Sequence, residues 1–589
     1  MINTACYQQG YPRPQFVRDN YLCLNGKWHF CFDDADNGEN LGWQNSLPDF
    51  QEITVPYAYQ TPMSGINDQT YHKIMWYEKQ CNFSLPQNDE RIMLVFEGCD
   101  HETKLWCNGI YVGKHVGGYT RFSFDITKYI DNDGNATIVL KVTDDKRADR
   151  PRGKQSWLDE PFGCWYTPTS GIWKTVWSEK VNNTRLNSVK MTPIASNYHL
   201  ACRYEIDNFA NNCSLKTTIS FRGNVIAEQT NRLLRENGTF EIDLSNDLDS
   251  FKIHWWTPEN PQLYDVEFSL VCDNKEIDNV KSYTAFRIFR TDKNKFVLNL
   301  NPIYLRMVLE QGYWRESGLT APSEDAIVKE IQLIKDLGFN GARVHQKIED
   351  ERFFYYADTM GLLTFCEMPS LYEYTEDYSA KSVCDEWLNV VKQHYNHPSV
   401  IAWVPINESW GVNRITFNKQ EAHFTQALYH LTKALDPMRP VISNDGWEHT
   451  ESDILTFHNY CQDANKLATF YDNVLDVVNG ENKVDYSNLR LPFAPDFRYN
   501  GQPIMIDEFA GIGYRSKDDE GWGYGDSVSN KDHFVERLSA LIATITKKQE
   551  IAGFCVTQIT DVYQEINGLL DFDRIAKADI EKIRKAILQ

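Results

Sequence analysis

The chain has 589 residues, enough for two to four domains with several buried cores. Its hydrophobic content of 42% and charged content of 24% are those of a soluble globular protein. The net charge of −22 argues against nucleic acid as a partner, because phosphate binding needs a basic face. No apolar run reaches the roughly 18 residues that a membrane span requires, so no membrane association is expected. The opening MINTACYQQGYPRPQF lacks a basic start followed by an apolar stretch, so no signal peptide is read. The 14 cysteines are scattered without a CxxC pair, which fits buried thiols in a reducing compartment and a cytoplasmic location.

From about 20 to 180 the chain alternates short strand-like runs with turn residues, as in RIMLVFEG (91–98), KLWCNG (104–109) and NATIVLKV (135–142). This spacing predicts a jelly-roll-like all-β sandwich over 1–182. HVGGY (115–119) reads as a hairpin-like turn and not as a phosphate loop, since no helix follows. Residues 183–291 continue with TTISFRG (217–223) and YDVEFSLVCD (264–273), at a length typical of an immunoglobulin-like β-sandwich. The two prolines of WWTPENPQLY (255–264) suggest that the strand after them lies at a sheet edge.

Over 292–589 the rhythm changes to strands interleaved with helices. The strand candidates are PIYLRMVL (302–309), NGARVH (340–345), LLTFCEMP (362–369), VIAWVPINES (400–409), PVISND (440–445), ILTFHNY (454–460), PIMIDE (503–508) and IAGFCVTQ (551–558). Helical patterns cover 323–338, 352–361 and 384–395, the first opened by Ser323 as N-cap with Glu324 and Asp325 in its first turn. Eight such strands predict a (β/α)8 TIM barrel, whose active site lies at the C-terminal ends of the strands.

Two of those ends carry carboxylates, Glu408 in INESWG after the fourth strand and Glu508 in PIMIDEFAG after the seventh. A pair of acids facing one mouth suits cleavage of a glycosidic bond, which needs an acid/base and a nucleophile. Asp507 is the rival of Glu508, and strand alternation is expected to turn the two side chains to opposite faces. The same alternation puts His458 on one side with Tyr460, and His345 on one side with Arg343. Trp410 can wall a sugar site or pack the barrel rim. Aromatics make up 13% of the chain, and sugar sites and β-sandwich cores both use them. His394 and His397 form an HxxH, but at a helix end before the fourth strand, away from the mouth. HExxH, EF-hand and Walker motifs are absent, and the chemistry needs no metal or other cofactor.

LWCNGIYVGKHVGGYTRFSFDIT (105–127), YTPTSGIWKTVW (166–177), NHPSVIAWVPINES (396–409) and PIMIDEFAG (503–511) together resemble glycoside hydrolase family 2, the family of β-galactosidases, β-glucuronidases and β-mannosidases. The resemblance covers nearly the whole chain, in the order sugar-binding sandwich, immunoglobulin-like sandwich and catalytic barrel. It implies that Glu408 is the acid/base, Glu508 the nucleophile, and Asn407 the ligand of the hydroxyl beside the reacting carbon. It also implies that Tyr460 hydrogen-bonds the nucleophile, that Glu367 binds sugar, and that Arg343 braces the nucleophile's end of the site. In a retaining enzyme anionic Glu508 would raise the pKa of Glu408 by repulsion, and the carboxyls should lie about 5–5.5 Å apart. The family's first domain usually blocks one end of the site, which implies exo-cleavage, and relatives often form dimers or tetramers, which leaves a homo-oligomer open.

The chain departs from the family where the sugar is chosen. Thr557 and Gln558 stand where most relatives carry a tryptophan floor, so Gln558 is expected to offer a hydrogen bond instead. LEQGYW (309–314) replaces the Asn-x-His-Glu of familiar β-galactosidases, and the Asn-x-Lys clamp of β-glucuronidases is missing. Arg152, Lys154 and Trp157, on a loop of the first domain, could reach the mouth and would suit an acidic sugar. A terminal β-galactoside is the leading expectation. β-Mannoside, β-glucoside, arabinoside, galactofuranoside and β-glucuronide are the alternatives, as is a non-catalytic carbohydrate-binding protein.

Overall fold

The computed structural model of the protein describes residues 10–87, 89–245, 253–472, 474–479, 490–515 and 521–589. Residues 1–9 of the opening segment read above for a leader lie outside them. Among the described residues no helix is long and apolar enough to cross a membrane.

The first sandwich stacks a six-stranded antiparallel sheet on a four-stranded one. Its core is built from inward-facing residues of both, among them Trp28, Phe30, Tyr77, Leu94, Phe96 and Leu105. HVGGY is not a hairpin. It carries the chain from Ile110–Val116 in the larger sheet to Phe122–Asp125 in the smaller, and the two strands pair with different partners. Its glycines are required by close approach: a Cβ on Gly117 would meet Glu386 Oε2 at 2.4 Å, and one on Gly118 would meet Asp100 Oδ1 at 2.8 Å. This closeness lets Glu386, on a barrel helix, accept from the backbone N–H groups of Tyr119 and Thr120 at 3.0 Å each, fastening the sandwich to the barrel.

The second sandwich packs a three-stranded sheet against a four-stranded one. The strand Cys213–Phe221 alternates buried and half-buried positions along its length, the period of two that a one-sided core imposes. Tyr264–Cys272 lies between Cys213–Phe221 and Lys275–Thr284, so it is an interior strand and not the edge the prolines suggested. Pro258 and Pro261 fall in the loop before it, where no ladder donor is lost. Two of the cysteines read as thiols, Cys213 and Cys272, are register partners with Cα atoms 4.1 Å apart and form a disulfide.

The barrel strands run parallel in the order Val400–Val404, Leu363–Glu367, Gly341–Val344, Leu305–Glu310, Ile551–Thr557, Ile504–Ala510 and Leu455–Asn459. The fifth expected strand, 440–445, is reduced to two bridges, Trp403 with Val441 and Asn407 with Asp445. Side chains satisfy its backbone in place of a second ladder. Asp453 accepts from Val441 N at 2.9 Å, and Thr456 Oγ1 accepts from Gly446 N at 2.8 Å. The helix expected at 323–338 runs Glu324–Asp336, with Ser323 accepting from Ala326 N as its N-cap. Those expected at 352–361 and 384–395 are Glu351–Met360 and Ser379–His394. His394 and His397 are fully buried, and His397 Nδ1 lies 2.6 Å from Asp358.

Candidate active site

After Val404 the chain turns through Ile406, Asn407 and Glu408 at the mouth of the barrel. Glu408 and Ser409 take φ of 53° and 55°, a left-handed conformation that non-glycine residues adopt only when held. The holding contacts come from the shortened fifth strand: Glu408 N donates to Asp445 O at 2.9 Å and Ser409 N to Asn444 Oδ1 at 2.8 Å. Asn407 Oδ1 accepts from Arg343 Nη2 at 2.7 Å, which fixes the amide, and its Nδ2 has no hydrogen-bond partner among the described residues.

Opposite, Glu508 lies on Ile504–Ala510. Asp507 does not turn to the outer face as alternation predicts. Phe457 pairs with Ile506 and His458 with Glu508, so Asp507 is the extra residue of a β-bulge. The bulge leaves both acids facing the interior. Arg343 Nη1 is 2.8 Å from Glu508 Oε1 and 4.0 Å from Asp507 Oδ2, while its Nε donates to Glu367 at 2.8 Å.

His458 joins the two halves. Its Nδ1 is 2.7 Å from Glu408 Oε1 and 3.5 Å from Glu508 Oε2, and its Nε2 is 3.4 Å from Asp507 Oδ1. Carboxylate oxygens of Glu408 and Glu508 and a ring nitrogen of His458 all fall within 4.8 Å of one another. Tyr460 donates its hydroxyl to Glu508 Oε2. Trp410 Nε1 donates to Glu408 Oε2 at 3.2 Å. Glu408 keeps 18% of its side chain exposed and Glu508 7%, so the first meets solvent and the second is walled in.

The charges follow from this crowding. Burial alone would push the Glu508 carboxyl up, but His458, Arg343 and the Tyr460 hydroxyl hold it well below the usual carboxylate range. Burial pulls the His458 imidazolium down, yet Glu508, Asp507 and Glu408 raise it well above its ordinary value. Glu367 and Asp445 are each pushed up to about 8 by burial, which outweighs the opposing pull of Arg343, with neighbouring acids adding to the rise. His345 is driven far down by burial and by Lys154 and Arg343, which leaves a neutral ring 3.1 Å from Glu367. Asp445, His458 and Asp507 bring three metal-type donors within 4.8 Å, but the Arg343 guanidinium, 2.9 Å from Asp445, already supplies a cation there.

Two expectations about sugar contacts are revised. Gln558 Oε1 accepts from Gln311 Nε2 at 2.6 Å, and Gln558 Nε2 donates to Asn567 Oδ1 at 2.6 Å, so its amide is spent inside the protein. Arg152 is buried with its guanidinium on the carbonyls of Asp145 and Ser156, so it does not reach the mouth. Glu367 is fully buried between Arg343 and His345. Lys154 lies within electrostatic reach of the nucleophile. Burial opposes its charge, but Cys164, Glu565, Tyr372 and Glu508 hold its ammonium well above the ordinary lysine value. Trp157 stacks on Tyr372 at 4.3 Å, and Trp165 and Tyr372 meet Trp410 edge-on at 5.3 and 5.4 Å.

The mouth opens into a cleft of about 1030 Å³ whose walls include Glu408, Trp410, Trp447, Tyr460 and Tyr524. Asp445, Cys164, Trp165, Tyr372, Trp447, Tyr524 and Glu565 were missed by sequence reasoning. Asp445 had a signal, because it closes an expected barrel strand as Glu367, Glu408 and Glu508 do. The others carry no motif, and all but Tyr524, which opens the short strand Tyr524–Val528, come from loops.

Comparison with known proteins agrees with this geometry. Residues 22–176 match the sugar binding domain of glycosyl hydrolases family 2, residues 184–287 match the family 2 domain that follows it, and residues 289–486 match the family's TIM barrel domain. A β-galactosidase of Thermoanaerobacter pseudethanolicus is 25% identical over 84% of this chain and 62% of its own length. A putative β-glucuronidase of Formosa agariphila is 27% identical over 73% of this chain and 51% of its own. The chain thus spans between half and two thirds of the length of these curated relatives. In fold it is similar to the β-glucuronidase of Ruminococcus gnavus, with a TM-score of 0.79 at 18% identity over 98% of this chain and 99% of that one. The chain belongs to glycoside hydrolase family 2.

Proposed function

We propose that the protein is a retaining, exo-acting glycoside hydrolase that removes a terminal β-linked sugar, a β-galactoside foremost, by double displacement through a covalent glycosyl-enzyme. The observation that carries this reading is the approach of Glu408 and Glu508, whose carboxylate oxygens come within 4.8 Å. An inverting enzyme needs about 6.5–9.5 Å between its carboxyls to admit water, and a retaining one about 5–5.5 Å. Glu508, kept ionised by Arg343, His458 and Tyr460, attacks the anomeric carbon. Glu408, the more exposed acid, protonates the departing oxygen and then takes a proton from the water that releases the sugar. Asn407, its amide fixed by Arg343 and its Nδ2 free, donates to the hydroxyl beside the reacting carbon. Trp410, Trp165 and Tyr372 offer aromatic faces to the departing group. Exo action is supported by the first domain's loop, pinned over the mouth where Arg152 N donates to Ser370 O at 2.8 Å and Tyr372 hydroxyl to Gly153 O at 2.5 Å.

One observation favours a second sugar. The Lys154 ammonium stands among Glu508, Tyr372 and Glu565. A cation there suits a carboxylate on the terminal sugar, as in a β-glucuronide, in place of the clamp the barrel lacks. A cytoplasmic location rests on buried free thiols such as Cys99, Cys202, Cys366 and Cys555, and the Cys213–Cys272 bridge counts against it.

A panel of nitrophenyl glycosides, pyranosides and furanosides in both anomers, tests the reading beside Glu508→Ala and Glu408→Gln. Wild-type turnover of one β-glycoside, silence of Glu508→Ala, and retention of activated substrates by Glu408→Gln are expected. With azide, Glu508→Ala should form the α-glycosyl azide. A β-azide from that variant would reverse the two roles.

A further inference from the structure

A histidine between the two catalytic carboxyls is not required by double displacement, and its surroundings are specific. Its side chain is fully buried, and Gly446 packs on its face so closely that a Cβ there would meet Nδ1 at 2.7 Å. Trp447 closes another side at 5.4 Å between ring centres. The ring is thereby held with Nδ1 on Glu408 and with Nε2 facing Asp507 across a gap that no hydrogen bond closes. Nδ1 is 2.7 Å from Glu408 Oε1, and Nε2 is 3.4 Å from Asp507 Oδ1, with Asp445 completing the lower cluster. The opposite oxygen of Glu408, Oε2, points to Trp410 at the exposed rim. Glu408 is therefore a two-ended group, with one oxygen on a buried imidazole and the other at the cleft.

We propose that His458 is a positioning residue that supplies the acid proton through Glu408, with Asp507 and Asp445 anchoring the far side of its ring. The inference rests on the glycosidase reading above. In glycosylation Glu508 forms its bond to the anomeric carbon as the glycosidic C–O bond breaks toward the leaving oxygen. Glu408 Oε2 gives that oxygen a proton while Oε1 takes one from His458 Nδ1. The ring is left neutral, with its remaining proton on Nε2 toward Asp507. In the second half water bonds to the anomeric carbon, the C–O bond to Glu508 breaks and its electron pair returns to the carboxylate. The water proton passes to Glu408 Oε2, and Nδ1 recovers its own from Oε1. Protons and charges balance over the cycle, with water as the sole co-substrate.

The groups facing the ring favour its charged form. Glu508, Asp507 and Glu408 raise its pKa, while burial holds His345 and His449 neutral. A carboxyl relay of this kind separates the store of the proton from the group that delivers it.

His458→Asn tests this directly, because its amide nitrogen can replace Nδ1 as hydrogen-bond donor to Glu408 but carries no transferable proton. The expected result is a loss of about 10²- to 10⁴-fold in kcat/KM for alkyl glycosides, the span of general acid catalysis. Dinitrophenyl glycosides should fall far less, because their leaving group needs no proton. An equal loss on both substrates would overturn the proposal, as would wild-type activity on alkyl glycosides. A substrate-free readout covers variants that fail to fold and a wild-type protein that cleaves nothing on the panel. In full-length protein with 13C-labelled histidine, the His458 ring should remain an imidazolium at pH 8 and titrate lower in Asp507→Asn. A neutral ring at pH 7 in the wild type would overturn the proposal whatever the substrate.

Discussion

Arg343 donates Nη1 to Glu508 Oε1 at 2.8 Å from a position with no solvent exposure. The same guanidinium meets Glu367 through Nε at 2.8 Å and Asn407 through Nη2 at 2.7 Å, so one cation orients residues from three barrel strands. Replacing it by Met leaves buried carboxylates without their partner, a change that costs about 3–5 kcal/mol. The urea midpoint of Arg343→Met should fall accordingly. Arg343→Lys should recover only part of the loss, since a single ammonium does not reproduce the planar fork. An unchanged midpoint in Arg343→Met would show that the network contributes nothing to stability.

Tyr460 holds the nucleophile's other oxygen. A hydrogen bond to a charged group contributes about 1.5–3 kcal/mol, so Tyr460→Phe should lower kcat/KM by about 10- to 150-fold. The hydroxyl favours the ionised form of Glu508, so its removal should shift the acid limb of the rate profile to higher pH. A fall in rate with a fixed acid limb would indicate lost packing instead.

Glu367 and Asp445 connect stability to pH. Their folded-state values of about 8 lie above the unfolded carboxyl range near 4, so the folded protein binds two protons that the unfolded chain releases. The stability they contribute is complete below about pH 4 and is lost as pH rises through about 8. His458, also raised, adds a loss in the same direction above its ordinary value. Glu508 acts oppositely, its contribution being lost as pH falls below the ordinary carboxyl range. Thermal melting should therefore fall from pH 6 to pH 9, and Asp445→Asn should flatten that slope. An identical slope in the variant would mean that Asp445 is already ionised.

Much of the site was legible because its acids end strands. INES and MIDE place Glu408 and Glu508 at the C-terminal ends of two strands that face each other across one barrel, and alternation places His458 with Tyr460. The inward turn of Asp507 was not legible. It depends on a bulge of one residue against Phe457–His458, and periodicity carries no mark of an inserted residue. The fifth strand has the composition of a strand, but its backbone is claimed by Asp453 and Thr456. Cys164 reaches the mouth only through docking of the first domain, a contact that no local pattern encodes.

Lys154 separates the two sugar readings. Lys154→Met should reduce kcat/KM for an aryl β-glucuronide by at least about 10-fold if its ammonium binds the sugar carboxylate, and should spare an aryl β-galactoside. Equal effects on both substrates would leave Lys154 a structural neighbour of Glu565.

The central claim is that Glu508 becomes covalently bonded to the sugar. The most direct measurement is mass spectrometry of the protein trapped with a 2-deoxy-2-fluoro glycosyl fluoride of the sugar selected on the panel. The account predicts one adduct, in the peptide containing 503–511, with fragmentation placing it on Glu508 and with Glu508→Ala unlabelled. An adduct on Asp507, or turnover of the parent substrate to the inverted anomer without any adduct, would contradict it.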